Sequence, residues 1–218
     1  TIWGPKHLAA NYSLVFVAFG VGALVGPPLA GAAKDAGLTT DAYLAAALDD
    51  NDLAFTDDYV IALTNGGGIR TDRLYPAGDV TDQTINNICP FGNDVRMISG
   101  MSTAQLVTVL EHAVARVENV DGRWAHIAGF TFCYDPAGTA QTSVETSSGS
   151  GVFAVDTPGD RIVDVYMADG TQVVAAGVIT PADASLTYSM VTNGFILDNG
   201  DRYPLGTMYS YTATTFDG

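Results

Sequence analysis

Few residues in this sequence are suited to bond-breaking chemistry. A metal-dependent hydrolytic centre needs several His, Asp or Asn ligands converging on one or two ions. The three histidines, His7, His112 and His126, lie far apart and have no HxH or DxH neighbours. Nucleophilic catalysis has no better footing: there is no GxSxG elbow, and neither Cys89 nor Cys133 has a base nearby in sequence or belongs to a CxxC pair. No catalytic residue and no metal ligand is therefore assigned, and no cofactor is expected in this chain. What remains is a motif suited to holding a ligand, Asn65-Gly66-Gly67-Gly68-Ile69-Arg70. Three glycines let the backbone turn tightly and approach a ligand, and Arg70 can offer a bidentate fork to phosphate or carboxylate oxygens. Taken alone, the motif fits a structural turn with a surface arginine equally well.

The elements that must position this loop are short strands and one clear helix. Tyr59–Thr64 is a compact apolar run that delivers the chain into the glycines, and Val95–Ser99 reads as a second strand. Ser102 followed by Gln105 is a capping-box signature, after which Leu106, Val109, Leu110, Ala113, Val114 and Val117 recur at helical spacing. Ile127–Tyr134 is strand-like, Pro136–Gly159 is a Ser/Thr/Gly-rich excursion, and Arg161–Met167 with Thr171–Ile179 forms a hairpin about Asp169-Gly170. Leu186–Thr192 supplies a further strand. Without βαβ alternation, the expectation is an α+β fold with a mixed sheet and few helices.

Composition narrows the partners. With 24 acidic and 9 basic residues the formal net charge is −15. Such a surface repels polyanions and gains nothing from counterion release, so polymeric nucleic acid is excluded as the main partner. Both lysines, Lys6 and Lys34, precede Asp35, and this Lys-poor, Asp-rich balance reads as salt-tolerant or secreted. Cys89 and Cys133 permit one disulfide in an exported protein and otherwise read as two buried thiols.

The amino-terminal third has a different character. Leu14–Ala33 is 20 residues without a formal charge, long enough as a helix to span a bilayer core, although Pro27-Pro28 interrupts it. The stretch Gly4–Asp35 resembles a transmembrane segment of major-facilitator transporters of the oxalate/formate antiporter type; a secretory signal is the second reading. Asp35–Asp58 then carries seven aspartates and no basic residue. The expected organisation is an apolar helical segment over 1–37, an acidic linker over 38–58 and a domain over 59–218.

The blocks ALTNGGGIR, CPFGND, LEHAVAR, GRWAHIAGFTFCYDP and TNGFILDNGDRY follow one another in that order. Over about 59–205 this succession resembles the C-terminal domain of the 5′-nucleotidase and UDP-sugar hydrolase family. The resemblance implies a substrate-binding domain whose partner is an N-terminal two-metal phosphoesterase domain, with divalent metals in that domain only. It further implies an extracytoplasmic location. Carried over block by block, it places Asn65 and Arg70 against the substrate, Arg70 toward the phosphate or ribose end. Phe91 and Asn93 would contact the base, and Phe195 and Asp201 would complete the site. Two aromatic faces can sandwich a base, and a carboxylate can accept ribose hydroxyl donors.

Two departures from the family pattern matter. No Lys or Arg occurs between Asp35 and Ile69, so the phosphate clamp is expected to be reduced. The late block reads DNGDRY where the family usually has NGGDGY, with Asn199 and Arg202 in place of glycines. The expected function is nucleotide or nucleoside binding for a 5′-nucleotidase-type hydrolase, the chain being inactive alone. The alternatives are a membrane-tethered nucleoside-binding module anchored through residues 14–33 and a non-functional hybrid of transporter and nucleotidase fragments joined near residue 37.

Overall fold

A computed structural model describes residues 55–70, 81–92, 94–208 and 214–215, together with the helical residues Thr40, Asp41, Leu44, Ala45, Ala47 and Leu48. The apolar segment over 1–37 lies outside the described residues, and so does Asn93. In chain order the strands are β1 (Tyr59–Asn65), β2 (Val95–Ser102), β3 (Ala125–Ala128), β4 (Phe130–Tyr134), β5 (Thr142–Glu145), β6 (Phe153–Thr157), β7 (Ile162–Met167), β8 (Gln172–Ala175), β9 (Val178–Ile179), β10 (Thr187–Asn193) and β11 (Thr214–Thr215). The helices are α1 (Asp82–Ile88), α2 (Thr103–Ala113), α3 (Gly194–Leu197) and α4 (Leu205–Met208). The fold is α+β with mixed strand orientation and few helices, as the sequence pattern predicts.

A five-stranded sheet runs β11-β2-β10-β1-β3, in which β1 and β10 are parallel and the other pairs antiparallel. A second, antiparallel sheet runs β4-β7-β8-β9, and β5 and β6 pair separately. Side chains alternate across the first sheet with the period of two that a strand imposes. Ile61, Leu63, Ile98, Tyr188 and Met190 enter one core, and Ala62, Met97 and Val191 enter the other. Burial on both faces explains why β1 reads as a continuous apolar run rather than an alternating one.

The first core is filled by α2. Ser102 accepts from the Gln105 N–H while the Gln105 side chain accepts from the Ser102 N–H, the expected capping box. Leu106, Val109 and Leu110 are fully buried against β1 and β2 and against Val165 and Met167 of β7. The second core is covered by the helical residues near Ala47, which is itself fully buried, with Leu44 packed beside it. Thr40 is buried as well, its hydroxyl 2.7 Å from that of Thr64 on β1. Thr40, Leu44 and Ala47, spaced by four and three, lie on the helical face turned to the sheet, while Leu48 is exposed.

Three local features differ from the sequence expectations. The single strand expected over Ile127–Tyr134 is two, divided at Gly129 (φ 86°), where a Cβ would stand 3.0 Å from the Val60 carbonyl. The Ser/Thr/Gly-rich excursion contains the β5–β6 hairpin, whose turn is tied by Glu145 accepting from the N–H groups of Gly149 and Gly151. Helix α1 begins where the Thr81 hydroxyl accepts from the Thr84 N–H. Its Asn- and Thr-rich sequence has low intrinsic helix propensity. No disulfide joins Cys89 and Cys133, and Cys133 is exposed on β4 rather than buried.

Candidate functional site

The parallel pair β1 and β10 brings two carboxyl ends to one edge of the sheet, where the antiparallel β2 and β3 begin: Asn65 faces Ala125 and Asn193 faces Val95. Ligands in α/β sheets commonly use the crevice outside parallel strand ends. Here that rim brings together Asn65, Asp201 and Phe195, three of the six chosen residues.

Asn65, at the end of β1, is buried and donates through Nδ2 to Oδ2 of Asp201 at 2.7 Å, across 136 positions of sequence. Its Oδ1 accepts from Asn193 Nδ2 at 3.1 Å. The Asn193 Oδ1 in turn accepts from the Ile196 N–H and caps the short helix α3, which carries Phe195. One chain of hydrogen bonds thus joins the Asp201 carboxylate to the element that presents Phe195. Asn193 is not among the residues chosen from the sequence. Its local signal is its position, an N-cap type residue between an apolar strand and Gly194.

The glycine loop works differently from its expected use. The Gly66 N–H donates to Trp124 O at 2.7 Å and the Gly67 N–H to Gly122 O at 2.9 Å. These donors knit the loop to the segment before β3 and do not point to a ligand. The glycines are needed for close approach, since a Cβ at Gly67 would stand 3.1 Å from Gly122 Cα.

Arg70 is exposed, and its guanidinium carbon lies 5.0 Å from the centre of the Phe91 ring. Phe91 is 48% exposed and Phe195 45%, two of the few large apolar side chains left in water among the described residues. Phe195 rests on Gly200, where any Cβ would overlap its ring. No ring contact joins Phe91 to Phe195 among the described residues. Asn93, the sixth chosen residue, falls outside them.

Asp201 sits in the turn Gly200–Arg202 with φ 50°, flanked by Asn199 at 65° and Arg202 at 63°. Asn199 and Arg202, for which the resemblance leads one to expect glycine, thus occupy left-handed conformations that favour glycine. The Asp201 carbonyl is 2.9 Å from His112 Nε2, and burial pushes the His112 imidazole down to about 4. Arg96 anchors the same rim, with Nε 2.6 Å from Asp94 and Nη1 2.9 Å from Asp198 just beyond α3.

No group of three or more His, Cys, Asp or Glu able to hold a metal occurs among the described residues. His112 and His126 lie on α2 and β3, and burial lowers the pKa of His126 also. A half-open concavity of about 320 Å³ among the described residues is lined by Arg116, Asp121, Arg123, Trp124 and Tyr134 among others, and by none of the six chosen residues. No described helix is long and apolar enough to cross a membrane.

The fold and its strand-end rim define an α+β domain of known type. The chain belongs to the family whose model is described as 5′-nucleotidase, C-terminal domain, which matches residues 33–207. Among solved structures it is similar to the 5′-nucleotidase precursor from Thermus thermophilus, at 26% identity and TM-score 0.52, covering 71% of this chain and 25% of that one. It is also similar to the NAD nucleotidase of Haemophilus influenzae, at 21% identity and TM-score 0.52, covering 81% and 27%. At the latter identity the likeness is one of fold alone. This chain thus spans about a quarter of the length of each. No curated protein matches the chain significantly.

Proposed function

We propose that this chain binds the nucleoside part of a nucleotide for a 5′-nucleotidase-type hydrolase, through Asn65, Arg70, Phe91, Asn93, Phe195 and Asp201. The observation that carries the reading is the Asn65–Asp201 hydrogen bond, which joins two residues chosen separately from blocks 136 positions apart. The exposed faces of Phe91 and Phe195 supply stacking surfaces for a base, and the Arg70 guanidinium supplies a phosphate partner. The Asp201 carboxylate, with Oδ2 fixed by Asn65, accepts ribose hydroxyls. Phosphoester cleavage is assigned to a separate metallophosphatase domain, since scattered histidines do not build a dinuclear centre. An extracytoplasmic location belongs to the same reading, whereas membrane association through residues 14–33 belongs to the alternative of a membrane-tethered module; cell fractionation with and without detergent separates the two.

Calorimetry on the 218-residue chain tests the binding site. Adenosine and AMP are expected to bind, and Phe91→Ala or Phe195→Ala to weaken adenosine by about ten- to a hundred-fold, the worth of one base–aromatic stack. Arg70→Ala is expected to penalise AMP more than adenosine. A folded chain with no affinity for either ligand at millimolar concentration overturns the reading. Binding that survives both Phe replacements shows that the site is elsewhere. Phosphate release from AMP by the purified chain with Mn²⁺ would contradict the division of labour.

A further inference from the structure

His112 takes part in no step of the binding scheme, yet it is fully buried and touches two elements that frame the rim. Its Nε2 is 2.9 Å from the Asp201 carbonyl, its Nδ1 is 3.3 Å from Ser143 Oγ on β5, and its ring centre lies 4.7 Å from that of Tyr203. A carbonyl can only accept, so Nε2 carries the proton and donates. Burial keeps the ring neutral at neutral pH, so Nδ1 accepts from the Ser143 hydroxyl. The tautomer is fixed at both nitrogens.

The peptide that His112 grips is a strained one. Asn199, Asp201 and Arg202 all stand in the left-handed region, which Asn and Asp tolerate through their short polar side chains and which is strained at Arg202. Such a turn persists only where its surroundings over-determine it. Restraints beyond the Asn65 bond come from outside it. Asn199 Oδ1 accepts from the Gly206 N–H at 3.3 Å, the Arg202 guanidinium lies 5.8 Å from the Phe153 ring on β6, and His112 holds the carbonyl of Asp201 itself. Of these, only the histidine acts on the backbone of the residue whose carboxylate faces Asn65.

We propose that His112 is a positioning residue for the ligand site: by donating to the Asp201 carbonyl it holds the turn so that the carboxylate meets Asn65 and the ribose hydroxyls together. This rests on the reading of Asp201 as the ribose acceptor. The β5–β6 hairpin completes the device, since Ser143 fixes the histidine tautomer and Phe153 receives Arg202.

The test compares adenosine with 2′,3′-dideoxyadenosine, by calorimetry on the full chain and on His112→Phe, which keeps a ring against Tyr203 but has no donor. Adenosine is expected to weaken about ten-fold in the variant, the worth of one buried hydrogen bond, and the dideoxy ligand by less than about two-fold. A variant that keeps the wild-type ratio of the two affinities overturns the proposal, whether or not both ligands weaken. A wild-type chain that binds the two ligands alike removes the ribose role of Asp201 instead, and the proposal with it. Should the variant not fold, ¹⁵N-histidine NMR of the wild-type chain decides. The His112 proton is expected on Nε2, with a resonance that moves on adding adenosine and not on adding the dideoxy ligand. A proton on Nδ1, or no response to adenosine, overturns the positioning role.

Discussion

Glu111 and His112 are neighbours on α2, yet they anchor regions of opposite character. Glu111 holds the start of β7: Oε2 accepts from the Arg161 N–H at 3.1 Å and Oε1 from the Ile162 N–H at 2.7 Å. Arg161 is equally occupied, donating to the carbonyls of Gly138 and Val114 and to the Glu118 carboxylate. His112 holds the Asp201 turn, where the backbone is strained and Oδ1 of Asp201 receives no hydrogen bond among the described residues. A buried carboxylate with both oxygens engaged by the fold is out of a ligand's reach, whereas one with an oxygen left over on a braced turn keeps an acceptor in reserve. The difference separates the structural anchor from the candidate site without reference to any bound molecule.

The sharpest way to break this contrast is Glu111→Ala. Two buried backbone donors would lose their acceptor, and each such loss costs roughly 1–3 kcal/mol, so unfolding in urea should report a destabilisation of about 3 kcal/mol or more. Adenosine affinity of the folded fraction is expected to be unchanged. A loss below about 1 kcal/mol would mean that water or a local shift replaces the carboxylate, and the anchor would not be one.

The second test uses pH. Burial, offset in part by the bond to the Asp201 carbonyl, lowers the His112 pKa from 6.5 to about 4. Below pH 6.5 the unfolded chain takes up a proton that the folded chain refuses, so the neutral ring's contribution is complete above 6.5 and falls away as pH drops toward 4. The shift corresponds to roughly 3 kcal/mol as an upper bound. His112→Gln, which keeps a donor and does not titrate, is expected to flatten the stability profile between pH 6.5 and 4 relative to wild type. Parallel profiles for the two proteins would show that the ring is not the buried neutral group described.

How far these two regions can be read from sequence follows from the range of the interactions. The capping box at Ser102 and Gln105, the apolar stripe of α2 and the turn at Asp169-Gly170 are local patterns that appear where expected, but α2 ends at Ala113, short of Val117, and the arm expected over Thr171–Ile179 is divided at Ala176-Gly177 into β8 and β9. The break at Gly129 and the packing of Ala47 depend on what approaches from elsewhere, and nothing adjacent in sequence announces them. The chosen residues Asn65, Arg70, Phe91, Asn93, Phe195 and Asp201 come from ordered blocks resembling a family. The hydrogen bond between Asn65 and Asp201, and the roles of Asn193 and His112, emerge only when β1, β10 and α2 meet. His112 reads locally as one more residue on an amphipathic helix, because its partners lie 31 and 89 positions away.

The smallest expected effect concerns Arg202, an exposed arginine at φ 63°, a conformation that favours glycine. Glycine adopts this conformation without a Cβ penalty, so Arg202→Gly should recover part of the roughly 1–2 kcal/mol of strain. Against this stand the greater entropy of glycine in the unfolded chain and the lost contact with Phe153, which at an exposed site is worth about 0.5–1 kcal/mol. The net change is expected to be a stabilisation of no more than about 1 kcal/mol. The same exchange at Arg161 should have the opposite sign and a larger size, because it removes the hydrogen bonds of a buried guanidinium from unstrained backbone. Urea unfolding of the two glycine variants side by side reads the comparison directly. Destabilisation of both to a similar degree would show that the Asp201 turn is as saturated as the β7 anchor, and the distinction between the two regions would not stand.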